Sequence, residues 1–199
     1  MTDSELFCTL VAVAGAYLLG SIPTALLVGR RFGIDVRTVG DGNMGARNVA
    51  RTIGAWPSVI VAVIDVLKGT AAILLARWLG CSQSRVCVAG WAALLGHDFP
   101  IFAAFRGGQG LATTIGVLLV LMPVEALIAV GLYGTFYMIT HNPDIGAGVG
   151  LGTGIFLAAF VTDRPWVMVA DAVGMLVSIP GKKWLDRHRV SPRQEQHLA

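Results

Sequence analysis

Apolar runs of membrane-spanning length alternate with short polar stretches along most of this chain. A helix that crosses a bilayer needs about 20 mostly apolar residues, and Leu6 to Val28 is the first run that supplies them. Gly20 and Pro23 interrupt its end, which predicts a kink or a ragged terminus there. Further apolar runs cover Trp56 to Leu79, Val86 to Leu95, Leu111 to Leu121, Val124 to Ile139, Ile145 to Val161 and Pro165 to Ile179. Met122–Pro123, THNPD (140–144) and TDRP (162–165) read as turns between them. The pattern predicts an all-α, polytopic membrane helix bundle of about seven spans. It forms one domain over 1–199, with a basic tail at 181–199. A five-span arrangement with re-entrant pieces is the alternative, because the fourth to sixth runs are short. The sixth run carries Gly146, Gly148, Gly150, Gly152 and Gly154, a density of small residues that allows close helix packing.

Composition agrees with the pattern. The chain has 199 residues, 55% hydrophobic and 14% charged, with a mean hydropathy of +0.70. Ordinary soluble domains are about 25% charged. The net charge of +3 is modest, and its placement says more. With seven spans and an outside N-terminus, the first polar loop, the Arg106 loop and the tail share one side and hold eleven of the fifteen Lys and Arg. That excess marks the side as cytoplasmic. It also accounts for the basic residues without nucleic acid. The N-terminus lacks the positive n-region and cleavage site of a signal peptide, so the first run reads as a retained helix.

Cysteines and histidines add little. Cys8, Cys81 and Cys87 are an odd count with no CxxC, and they read as unpaired small hydrophobes. A Cys81–Cys87 pair is the alternative if that loop faces an oxidising side. His97, His141, His188 and His197 lack metal-ligand spacing, so no metal site is expected.

Two polar stretches carry candidate chemistry. Gly20 to Gly54 reads GSIPTALLVGRRFGIDVRTVGDGNMGARNVARTIG, with five arginines and no lysine. Gly40, Gly42 and Gly45 surround Asp41 and Asn43. Glycines let backbone N–H groups approach a ligand, and successive N–H groups form anion-binding nests. Arginine adds a fork suited to phosphate. A plain basic loop obeying the positive-inside rule is the competing reading. Asn43 to Ile53 suits a short interfacial helix. The second stretch, GHDFPIFAAFRGGQGLATTIG, runs from Gly96 to Gly116. Between the two, Asp65 and Lys68 sit at i and i+3 inside a span, as a neutralising pair or with Lys68 reaching an anionic ligand. The topology gathers both glycine-rich loops on one face, beside apolar helices. The expected ligand is part anion, part lipid.

In order, GSIP, GRRFGIDVR, GDGNMGARNVARTIG, IDVLKG and GHDFPIFAAFRGGQGLATTIG resemble the bacterial acyl-phosphate:glycerol-3-phosphate acyltransferases, the PlsY family. The resemblance covers Gly20 to Gly116 well and the remainder weakly. It implies a multi-span inner-membrane enzyme of phospholipid synthesis. Such an enzyme moves an acyl group from acyl phosphate to the 1-hydroxyl of glycerol 3-phosphate, giving lysophosphatidic acid, with no cofactor. It implies catalytic roles for Arg51 and His97, and substrate or phosphate binding by Asn43, Gly45, Arg106, Gly107, Gly108 and Gly110, with Lys68 beside them.

The chain departs from the family pattern in each motif. Asp41 stands for a serine and Arg47 for a threonine, as a compensating pair or with Asp41 as a base on the attacking hydroxyl. Gln109 stands for a lysine. His188 matches the third-motif histidine, with Ser191 where an asparagine is usual and Pro192 after it. Two other readings fit the same residues. One is a weakened or silent homologue that binds an anionic lipid or glycerol phosphate. The other is a small-solute transporter using Asp65, Lys68 and Asp171.

Overall fold

A computed structural model describes residues 3–189, which fold into nine α-helices and one 3-10 turn, with no strand among the described residues. The helices are α1 (Asp3–Gly20), α2 (Thr24–Arg31), α3 (Ala46–Thr52), α4 (Ala55–Trp78), α5 (Gln83–Asp98), α6 (Leu111–Leu121), α7 (Pro123–Thr140), α8 (Pro143–Phe160) and α9 (Trp166–Arg189). All seven expected apolar runs are helical. Among the described residues, five stretches are long and apolar enough to cross a membrane: Glu5–Arg31, Ala55–Trp78, Gln83–Ala103, Pro123–Thr140 and Pro143–Phe160. Leu111–Leu121 is shorter. The residues up to Arg189 assigned to the basic tail continue α9 through Pro180. Ser191, Pro192, Arg193 and His197 lie outside the described residues.

Local chemistry sets the helix ends. At the end of α4, Gly80 takes a positive φ of 74°. Its N–H donates to Arg77 O and that of Cys81 to Ala76 O, the paired bonds of a Schellman stop. Proline opens both α7 and α8, where its missing N–H costs nothing. The Asn142 side chain accepts the Asp144 N–H at 2.9 Å and caps α8. The expected interruption of the first run is a full break. Ser21 to Pro23 separate α1 from α2, and the break turns polar groups towards α4.

Small residues hold the bundle together. Gly146, Gly150 and Gly154 line one face of α8 and abut Tyr133, Ala129 and Glu125 of α7, while Gly148 and Gly152 face open space. Only alternate members of the expected glycine ridge therefore pack. The main core is likewise built from Ala12, Ala16, Ala72, Ala89, Ala93 and Val117 around Ile73 and Met175. A smaller core under the first loop joins Leu26, Val36, Met44, Val49, Val61 and Ala103. It anchors the loop to α4 and to the second glycine-rich stretch.

The cysteines differ from expectation. Cys8 and Cys81 form a disulfide across a sequence separation of 73, and Cys87 is free and buried. Cys8 lies near the start of α1 and Cys81 just past the end of α4. The antiparallel course of the two helices makes these neighbours, which spacing alone does not reveal. The Glu5–Arg85 ion pair, at 3.2 Å, lies at the same end of the bundle.

Candidate active site

Asn48 of α3 organises the first loop. Its side-chain amide donates to Val36 O at 2.9 Å and Val39 O at 3.1 Å, and its Oδ1 accepts the Asp41 N–H at 3.3 Å. It is buried, so these bonds are sheltered from water. Asp41 then accepts the Asn43 N–H at 3.1 Å, an Asx turn that fixes the tip. Nearby, Arg37 forks onto Asp35, which holds the Asp35 carboxyl down at about 2.

The second loop folds back on the end of α5. Ala104 and Phe105 adopt left-handed φ values of 54° and 59°, reversing the chain before Arg106. The Gly108 N–H donates to His97 O at 3.2 Å. A Cβ on Gly108 would lie 2.1 Å from His97 Nε2, so only glycine fits against the imidazole. Gly110 has φ of 75° and packs on Leu94 and Asp98 before α6 begins.

The two loops meet. Met44 donates its backbone N–H to Gly107 O at 3.3 Å. This places Asn43, Gly45, His97, Gly107, Gly108 and Gly110 in one locality, as the topology argument required. Arg51 reaches the locality from α3, with Nη1 3.7 Å from Asp41 Oδ2. Arg106 is exposed on the rim.

Beneath the loops lies a buried polar cluster. Asp65 Oδ1 accepts Lys68 Nζ at 2.9 Å and Thr24 Oγ1 at 3.0 Å, and lies 3.7 Å from His97 Nδ1. Lys68 also donates to Ile22 O at 3.2 Å, a carbonyl exposed by the α1–α2 break. The Asp65 and Lys68 side chains are 2% and 4% exposed. Lys68 is thus an ion-pair partner in this geometry, the first of its two expected readings. Ser21, Thr113 and Thr114 hydroxyls, His97 Nδ1, Asn43 Nδ2 and Asp98 Oδ1 are buried without a protein hydrogen-bond partner. Orphaned polar atoms at this density mark a place where a polar ligand can be held. Asp98 and Asn48 were missed by sequence reasoning. Adjacency to His97 was the available signal for Asp98. For Asn48, only the folded loop reveals the role.

Of the two readings of Asp41 and Arg47, the ion pair between them is not formed. Arg47 binds Asp144 Oδ1 at 3.0 Å, and Lys183 binds Asp144 Oδ2 at 2.5 Å. Asp144 at the start of α8 therefore ties α3 to α9 and draws Arg47 away, and Arg51, one helical turn later, takes the place beside Asp41. Asp171, expected inside a span, is buried, and its Oδ2 has no protein hydrogen-bond partner. His188 of α9 is exposed and contacts Trp184 O at 2.8 Å. Among the described residues no group of three or more His, Cys, Asp or Glu could hold a metal.

An apolar cleft opens between α6, α7 and α8. It begins at Leu111, directly after the Gly110 turn, with Tyr133 and Ala147 opposite. It continues past Leu118, Ala129 and Leu151 to Met122 and Glu125. From Leu111 to Met122 the helix rises about 16 Å. At the far end Glu125 is fixed by Arg164 Nε at 2.7 Å and by the Thr162 hydroxyl.

A profile of the family described as glycerol-3-phosphate acyltransferase matches residues 10–189. A glycerol-3-phosphate acyltransferase of Thermus thermophilus is 39% identical over 180 residues, 90% of this chain and 88% of that protein. Two crystal structures of PlsY, an integral membrane glycerol 3-phosphate acyltransferase, share the fold. The glycerol 3-phosphate form gives a TM-score of 0.82 at 30% identity, covering 92% of this chain and 91% of that one. The lysophosphatidic acid form gives 0.80 at 29% identity with the same coverage.

Proposed function

The chain belongs to the glycerol-3-phosphate acyltransferase family, and from that premise we infer that it transfers an acyl group from acyl phosphate to the 1-hydroxyl of glycerol 3-phosphate. The products are lysophosphatidic acid and phosphate. The observation that carries this reading is adjacency: the glycine turns are joined at Met44 and Gly107, and Leu111, directly after Gly110, lines the apolar cleft. One side of that junction suits phosphoryl oxygens and the other a fatty chain.

Acyl phosphate is a mixed anhydride and needs no covalent enzyme nucleophile. The 1-hydroxyl oxygen attacks the acyl carbon as its proton passes to the Asp41 carboxylate, and the bond to the phosphate oxygen breaks, its electron pair leaving with the phosphate. The protein's task is to hold two anions close together and to stabilise charge on the leaving phosphate. Arg51, at the loop surface, grips the phosphate of glycerol 3-phosphate. Asp41, which Arg51 faces, is the carboxylate the loop presents to the attacking hydroxyl. The N–H groups of the Gly107–Gly110 turn other than that of Gly108, which His97 O accepts, cradle the donor phosphate, and buried His97 shapes the turn through Gly108. The acyl chain lies in the cleft. No cofactor enters these steps.

The loop face is assigned to the cytoplasm of a bacterial inner membrane, with the N-terminus outside. The placement of eleven of fifteen basic residues supports this, as does a disulfide at the opposite face, where an oxidising compartment would preserve it.

The test is purified full-length protein in vesicles with a long-chain acyl phosphate and labelled glycerol 3-phosphate. Lysophosphatidic acid should form without acyl-CoA or acyl carrier protein. Folded protein that yields none above background overturns the reading.

A further inference from the structure

The Gly107–Gly110 turn offers N–H groups but little charge of its own. Gln109 is neutral, Arg106 is exposed on the rim, and Lys68 is held by Asp65 and Ile22 O. A phosphate leaving at this turn gains negative charge as its bond to the acyl carbon breaks, and a preorganised cation there would stabilise it.

We propose that Lys182 is that cation: reaching in from α9, it is a further phosphate-binding residue of the site, facing the donor phosphate on the Gly107–Gly110 turn. Lys182 is 5% exposed. Its ammonium lies 5.1 Å from the centre of the Phe99 ring, immediately after His97 and Asp98. Its charge is felt at both of those residues. Asp98 Oδ1, buried and unpartnered, borders the same turn: a Cβ on Gly110 would lie 3.0 Å from it. The lysine and the turn thus share the Asp98 carboxyl as a neighbour.

The partner of Lys182 does not explain its depth. Asp186, one turn on, holds the ammonium at 2.5 Å. An i,i+4 pair of this kind is readily made at a surface. Here the lysine side chain is 4% exposed and the aspartate 30%, so the cation lies deeper than its partner. Burying an ammonium is costly unless it is well paired. Lys183, by contrast, turns outward to Asp144. A phosphate dianion carries more charge than the Asp186 carboxylate and competes with it for Lys182.

This assignment rests on the acyl-transfer reading, and the test separates the two. In vesicles, Lys182→Gln should lower kcat/KM for the acyl phosphate at least 100-fold, with Lys182→Arg retaining more than a tenth of the parent rate. Gln109→Lys, which returns an ammonium to the turn itself, should raise the Lys182→Gln variant at least tenfold, and by a larger factor than it raises the parent. Unchanged kinetics in Lys182→Gln, or a loss that Gln109→Lys does not repair, overturns the assignment. If the parent forms no product, acyl transfer fails on its own account. Inorganic phosphate titrated onto the solubilised full chain then decides: tenfold weaker binding in Lys182→Gln upholds the assignment, and equal binding overturns it.

Discussion

Met44 and Gly107 are 63 positions apart in sequence, yet the N–H of one donates to the carbonyl of the other at 3.3 Å. That bond sets the two glycine-rich loops edge to edge. Met44 is buried in the small core beneath the first loop, so loop position and core packing are coupled.

Gly108→Ala tests the contact with His97 directly. The added methyl would lie 2.1 Å from Nε2, so the imidazole or the turn must move. Overpacking of this kind costs about 1–3 kcal/mol. Turnover should fall at least 100-fold while helix content, measured by circular dichroism, stays at the parent value.

Asp65→Asn or Lys68→Met alone should destabilise the protein strongly. Removing one partner of a buried pair typically costs about 3–5 kcal/mol, because the other charge is left uncompensated. The double variant Asp65→Asn/Lys68→Met should recover much of that loss. Unfolding of the three variants in detergent, closed as a double-mutant cycle, gives the coupling.

Ile155, only part-buried, lines the far half of the cleft. Ile155→Trp should shorten the preferred acyl chain, with turnover on a short-chain acyl phosphate retained and that on a long-chain one reduced at least tenfold. Competition between the two donors measures the shift. An unchanged ratio would place the chain elsewhere.

The Asp35–Arg37 fork carries a pH signature. The carboxyl sits at about 2 in the folded loop, below the ordinary value of about 3.9. Its stabilising contribution is therefore complete above about pH 4 and is lost as pH falls through about 2. Asp35→Asn should flatten the acid limb of the unfolding midpoint in that window and leave pH 6–8 unaffected. Because the pair is partly exposed, the effect should shrink in high salt.

Local pattern reached far into this fold. The apolar runs, the turn prolines of α7 and α8 and the packing role of the α8 glycines all follow from residues close together in sequence. So does the pairing of Asp65 with Lys68, one turn apart. What stayed hidden depends on distant segments. The Cys8–Cys81 disulfide needs α1 and α4 side by side. The turn of Arg47 towards Asp144 needs the start of α8 against α3. Asn48 looks like any polar helix residue until the Val36–Gly42 turn wraps over it. From the sequence Lys182 reads as one cation of the basic tail, because nothing in its neighbourhood announces that α9 continues past Pro180 and carries it inward.

The covalent brace between Cys8 and Cys81 fastens the bundle at one end only. At the other, α3, α8 and α9 are joined through the charges that converge on Asp144. Dissolved ions weaken such charge contacts and leave a sulfur–sulfur bond untouched. Raised ionic strength should therefore loosen the Asp144 junction while leaving the Cys8–Cys81 end joined.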